Sequence, residues 1–217
     1  MKNKAYDNKV VGAAVCIAMF GLSAFASGTS IPANAFNLWW SCDPAPYDGS
    51  GGICIPVATE CSPAYSGAQE TSCQSTTGMQ FYGCFKAGSA GAYSSTDQEA
   101  VFMADNVSSW TGHEMGFVKW LNNGVLYAYL QAEGGQSQYY AISTGDNGYH
   151  TFKCQCRSAS QSDLVDYYVD GNYVCTLSNS GNSYWGNCCY MVGTSQRHET
   201  GWNSTGWQVE MYDMEYF

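Results

Sequence analysis

From Thr77 to Phe217 the chain is a succession of short β-prone runs broken by turn signals, and apolar residues nowhere recur at helical spacing. The runs fall at 80–87, 99–105, 113–121, 124–131, 139–143, 150–156, 165–171, 172–177, 189–193 and 207–217. Asn122-Asn123-Gly124 joins two of them and Asp170-Gly171 two more, because these residues tolerate the positive φ of a tight hairpin turn. Many short strands at this spacing close into a sandwich or a barrel, so the expected fold class is all-β and antiparallel.

The first 76 residues have a different texture. Lys2, Lys4 and Lys9 precede an uncharged apolar run from Val10 to Phe20, and Ala24-Phe25-Ala26 supplies a cleavage pattern. Residues 1–26 therefore read as a signal peptide, with 27–217 as a single β-sandwich domain and a secreted or cell-surface destination. Within that domain a Cys/Gly/Pro-rich segment spans about 41–76. A short strand is expected around Phe36–Ser41, followed by a long bridged loop.

Three of the eight Lys/Arg and one of the 18 Asp/Glu fall in 1–26, so the remainder carries a formal charge of −12. That balance disfavours nucleic acid and anionic membranes, which reward cationic patches. No membrane span is expected after residue 26. Ten cysteines remain there: Cys42, Cys54, Cys61, Cys73, Cys84, Cys154, Cys156, Cys175, Cys188 and Cys189. An even number in a secreted chain implies disulfide-bridged loops, with a connectivity that spacing leaves open. No C-x-x-C pair or His-rich cluster suggests zinc, and no cofactor is expected. Structural calcium would have Asp48 in YDGSGG or Asp146 in GDNG as its candidate ligands.

Alternation within the runs assigns faces. In 113–121, Met115, Phe117 and Leu121 share one side, and Glu114, Gly116, Val118 and Trp120 the other. In 124–131, Leu126, Ala128 and Leu130 oppose Tyr127, Tyr129 and Gln131. Lys119 has core parity, which suggests that the strand ends or bulges there. The polar-aromatic sides together offer a sugar-binding floor: rings to cover pyranose faces, amide and carboxylate groups to bond hydroxyls. Trp120, Tyr127, Tyr129 and Gln131 are the candidate binding residues, with Trp202 and Trp207 as a candidate wall.

The order QFYGCFKAGSAGAY, EAVFMAD, HEMGFVKWL, YHTFKCQC, VDYYVDGNYV, MYDMEYF resembles that of family 16 glycoside hydrolases, within the concanavalin-like lectin and glucanase superfamily. The resemblance implies a jelly-roll sandwich over about 77–217. It also implies catalytic carboxylates on one strand, in an E-x-D-x-E or E-x-D-x-x-E pattern. Glu114 matches the nucleophile, Gly116 replaces the helper Asp, and Val118 or Lys119 replaces the acid/base. Losing the acid/base costs roughly 10²–10⁴-fold in rate. Glu99, Asp105, Glu133, Glu199 and Glu210 are the carboxylates a displaced site could use. The expectation is a non-catalytic extracellular domain that binds a glycan or polysaccharide. The alternatives are a divergent β-glucan hydrolase using Glu114, and a structural coat or filament subunit that self-assembles.

Overall fold

The computed structural model describes residues 28–41, 45–56, 64–86, 95–106, 112–133, 136–142, 147–178, 184, 186–197 and 208–217. The signal-peptide reading of 1–26, together with Cys42, Cys61, Asp146, Glu199, Trp202 and Trp207, lies outside these residues. No helix among the described residues is long and apolar enough to cross a membrane.

The first half supplies β1 (Thr29–Ser30), β2 (Phe36–Trp40), β3 (Tyr47–Gly49), β4 (Gly52–Pro56), β5 (Ala64–Glu70), β6 (Gln74–Thr76), β7 (Gly78–Lys86) and β8 (Gln98–Ala104). The second half supplies β9 (Glu114–Trp120), β10 (Val125–Gln131), β11 (Ser137–Ile142), β12 (His150–Cys156), β13 (Leu164–Val169), β14 (Asn172–Ser178), β15 (Asn187–Arg197) and β16 (Gln208–Tyr216). They form two antiparallel sheets. One runs β14-β13-β12-β7-β16-β4-β3, with β1 against β16. The other runs β11-β10-β9-β8-β15-β5-β2, with β6 against β15. Each of the ten runs read from sequence corresponds to a strand. Asp170 and Gly171 turn between β13 and β14 with φ of 51° and 74°, the positive values their hairpin requires.

The sheets meet through the sides that alternation assigns to the core. Phe81 of β7 and Phe152 of β12 stack at 5.1 Å, and Phe117 of β9 packs against both, at 6.2 and 5.0 Å. Met115, Leu126, Ala128 and Leu130 complete this layer from the second sheet. Burying such side chains contributes roughly 1.5–3 kcal/mol each, which fixes the register: a one-residue slip would turn the whole set outward.

Three expectations need correction. The stretch after β2 is not simply a bridged loop, because Gly52–Pro56 is a wholly buried strand and Ala64–Glu70 is an interior strand of the second sheet. Partners on both sides satisfy these backbones, a tertiary gain that local composition does not show. Lys119 does not end or bulge its strand, since pairing continues in register through Lys119↔Glu99 and Trp120↔Gln98. Its ammonium instead enters the interior and donates to the Phe85 carbonyl at 2.9 Å and to Asn147 Oδ1 at 3.0 Å. Glu99 lies fully buried beside it, neither oxygen hydrogen-bonded, and burial pushes its carboxyl well up.

The third correction concerns the cysteines. Cys73 and Cys188 form a disulfide with Cα atoms 5.3 Å apart, but Cys54, Cys84, Cys154, Cys156, Cys175 and Cys189 are buried free thiols. Pairing register explains most of this. Cys54 and Cys84 lie on either side of Glu210, and Cys154 and Cys175 on either side of Tyr167. Each pair is thus two strands apart, about 9.6 Å, beyond the reach of a disulfide. Cys188 and Cys189, adjacent in sequence, point to opposite faces, so only Cys188 meets Cys73. The free thiols serve as small apolar groups, with burial pushing those of Cys156 and Cys189 up to about 12.

Candidate functional site

The face of the second sheet turned away from the core carries a cleft of about 460 Å³. It crosses the sheet from Trp39 on β2 and Tyr65 on β5, past Thr194 and Gln196 of β15 and Gln98 of β8, to Glu114, Val118 and Trp120 of β9. Tyr129 and Gln131 of β10 and Tyr139 of β11 close the far end. Seven strands spaced about 4.8 Å apart make this a groove running across strands rather than along them.

Glu114 sits in the floor, 6% exposed. Its Oε2 accepts from the Tyr129 hydroxyl at 2.6 Å. The same hydroxyl lies 2.8 Å from Gln131 Oε1, which also accepts from Ser137 at 3.2 Å. Tyr129 carries one proton and cannot donate to Glu114 and Gln131 at once. The chain is satisfied in full when Glu114 is protonated, donates to Tyr129, and Tyr129 donates on to Gln131. Burial favours that neutral form. It raises the Glu114 carboxyl to about 7, against the opposing Tyr129 hydrogen bond and with a further upward push from nearby Asp105. Asp105 is itself engaged by the His113 ring at 2.6 Å and by the His113 backbone N–H at 2.7 Å.

Along β9 the side chains facing the cleft read Glu114, Gly116, Val118, Trp120, about 6.7 Å apart. The gap at Gly116 is filled from the neighbouring strand. A Cβ built there would lie 2.2 Å from the Val101 carbonyl oxygen and 2.5 Å from Phe102 Cβ. The Phe102 and Tyr129 rings meet edge-to-face at 6.5 Å, on the strands flanking Gly116. An Asp at this position is therefore excluded by packing as well as missing from the sequence. Val118, 3% exposed, gives the next position an aliphatic floor.

The described candidates from other strands do not place a second acid in the cleft. Glu99 faces the interior, Glu210 belongs to the outer face of the first sheet, and Glu133 is exposed in the turn after β10. Asp105 lies next to Glu114 in charge terms but outside the lining. Among the described residues, Glu114 is the one carboxylate in the cleft. No group of three or more His, Cys, Asp or Glu among them is placed to hold a metal ion, and Asp48 is exposed on β3.

Of the sequence-derived binding residues, Trp120, Tyr129 and Gln131 line the cleft, whereas Tyr127 stands just outside it, with its ring 6.2 Å from that of Tyr139. Trp39, Tyr65, Gln98, Tyr139, Thr194 and Gln196 are lining residues that sequence reading did not single out. The local signal for Trp39 was the Trp39-Trp40 pair, but its role depends on Gly67 across the strand: a Cβ there would fall 2.2 Å from the indole. Tyr139 stacks on Tyr129 at 5.3 Å and meets Trp120 at 6.1 Å, extending the aromatic wall onto the edge strand.

No protein-family profile and no curated protein matches the chain. Solved structures do. A β-glucanase from Bacillus licheniformis superposes with a TM-score of 0.58 at 11% identity, over 88% of this chain and 97% of that one. An endo-1,3-β-glucanase from Streptomyces sioyaensis gives 0.58 at 12%, over 87% and 90%. A carbohydrate-binding module from Bacillus subtilis gives 0.50 at 10%, over 83% and 95%. At these identities the likeness concerns fold, and the chain has the concanavalin-like jelly roll seen in family 16 glycosidases.

Proposed function

We propose that this chain is a non-catalytic carbohydrate-binding jelly roll whose cleft holds a linear, uncharged polysaccharide, with a glucan as the leading candidate. The observation that carries the reading is that, among the described residues, Glu114 is the one carboxylate in an aromatic-lined groove. Retaining hydrolysis uses two carboxyl groups about 5–5.5 Å apart, one to attack and one to protonate the leaving group. Here the remaining positions on β9 are occupied by Gly116 and Val118. Trp39, Trp120 and Tyr139 supply faces for sugar rings, while Gln98, Gln131, Gln196 and Thr194 supply donors and acceptors for hydroxyls. The neighbouring structures support the choice of ligand, since their names include glucanases and a carbohydrate-binding module. The reading places residues 27–217 outside the cell as one binding domain, after removal of 1–26.

Titration with laminarin and mixed-linkage glucan, alongside a reducing-sugar assay, tests this. The expected result is saturable binding, weakened about tenfold or more by Trp120→Ala, with no release of reducing ends. Hydrolysis abolished by Glu114→Gln would overturn it.

A further inference from the structure

Inside the sandwich, where β8 begins and β9 ends, an amine, a carboxyl group and a carboxamide converge. Lys119 of β9 and Glu99 of β8 are cross-strand partners on the side facing the core, a pairing that sets their Cβ atoms about 4.5–5.5 Å apart. Ser195 of β15 lies beyond Glu99, and Leu126 of β10 beyond Lys119. Lys119 is 2% exposed and Glu99 is fully buried, with neither of its oxygens hydrogen-bonded. The Lys119 Nζ lies 3.0 Å from Oδ1 of Asn147, which belongs to the segment leading into β12 of the opposite sheet. It also donates to the Phe85 carbonyl at 2.9 Å. None of these groups lines the cleft.

No hydrogen bond from the protein holds Glu99 as an anion. Burial pushes its carboxyl well above the ordinary value, against the opposing pull of the Lys119 and Lys86 charges. Moving a proton from Lys119 to Glu99 removes two buried charges and leaves Lys119 as a free amine, which is a nucleophile. With Nζ 3.0 Å from Oδ1 and a C=O bond of about 1.23 Å, the amine stands about 3.2–4.2 Å from the Asn147 amide carbon. Reacting atoms in a near-attack arrangement are about 3–3.5 Å apart, so a small rotation suffices. The bond to Phe85 restricts how the amine can turn. Asn147 itself is exposed, which gives a small leaving molecule a path to solvent.

We propose that Lys119 and Asn147 are a self-modification site, joined by an isopeptide bond that the folded chain forms without another enzyme. The bond from Nζ to the Asn147 Cγ forms, the Cγ–Nδ2 bond breaks, and ammonia leaves. Glu99 is the proton carrier: it takes a proton from the attacking nitrogen and returns one to the departing nitrogen. The Lys119 ammonium, the Glu99 carboxylate and the Asn147 amide thus become a secondary amide, a carboxylic acid and ammonia, with no oxidation or reduction and no co-reactant. The new amide N–H keeps the Phe85 carbonyl as its acceptor. The link ties β9 of the second sheet to the segment entering β12 of the first. Unlike the Cys73–Cys188 disulfide, it survives reduction.

The test is mass spectrometry of the full chain after unfolding, reduction and digestion with trypsin, which cuts after Lys and Arg. Between Lys86 and Lys153 the only such residue is Lys119, and the stretch contains no cysteine, so disulfide chemistry leaves its mass unchanged. The expected result for wild type is one peptide, 87–153, uncut at Lys119 and lighter than its sequence by one ammonia, about 17 Da. Asn147→Ala and Glu99→Gln should instead give 87–119 and 120–153 as separate peptides of full mass. Those two peptides from wild type, or an uncut 87–153 of full mass, overturn the proposal whether or not the variants fold. A loss of about 17 Da confined to 120–153, with Lys119 cut, marks a succinimide at an Asn-Gly pair and also overturns it. A bond that forms equally in Glu99→Gln overturns the role of Glu99 as proton carrier.

Discussion

Replacing Glu114 by Gln should alter how stability depends on pH, in a direction set by burial. The Glu114 carboxyl ionises near 4.5 when unperturbed and at about 7 in the folded cleft. Between those values the folded chain holds a proton that the unfolded chain has released, so stability falls as pH rises through this window. Stabilisation is complete below about pH 4.5 and the loss is complete above about pH 7. Two and a half units at about 1.36 kcal/mol each give about 3 kcal/mol, an upper figure because the unfolded chain is not fully solvated. Gln keeps the shape of the neutral acid and does not titrate. The assay is denaturant unfolding of wild type and Glu114→Gln at pH 4, 5, 6, 7 and 8. Glu70 and Glu99 also titrate upward through burial but are present in both proteins, so they cancel in the difference. The wild-type curve should drop relative to the variant by about 2–3 kcal/mol from pH 4 to pH 8, mostly between pH 5 and 7. Parallel curves would show that Glu114 is solvated and ionised in the fold, and the proton-sharing chain through Tyr129 to Gln131 would go with it.

Two further outcomes follow from packing and from the covalent link. Gly116→Asp, which rewrites the missing position of the family motif, should lower stability by about 3 kcal/mol or more and create no hydrolase, because Cβ meets the Val101 carbonyl and Phe102; a melting temperature within a few degrees of wild type would contradict the packing argument. Cys73→Ser/Cys188→Ser opens a link with a sequence separation of 115 residues and should cost roughly 2–5 kcal/mol. An unchanged unfolding midpoint in the non-reduced protein would show that the bond does not constrain the chain.

The alternation in β9 and β10 was legible because a strand with one face on the core must repeat every second residue. Met115 and Phe117 pointing inward, with Glu114 and Trp120 outward, follow from that period alone. The departure of β9 from the carboxylate pattern it resembles was equally legible, since Gly116 and Val118 are facts of sequence. What one strand could not show was what its neighbours bring to it. Trp39, Tyr139, Gln98 and Gln196 enter the cleft from strands far away in sequence, and Phe102 closes the space over Gly116. Lys119 broke the alternation on paper and kept it in three dimensions, because a backbone carbonyl and Asn147 receive its ammonium inside the sandwich. The cysteine count suggested bridges, yet pairing depends on which strands adjoin: β16 and β13 each separate two thiols that composition alone would have allowed to join. Sequence thus determined periodicity, turn positions and the chemistry present on each strand. Only the tertiary structure decided which strands became neighbours, because that choice rests on burial and hydrogen bonding summed over both sheets.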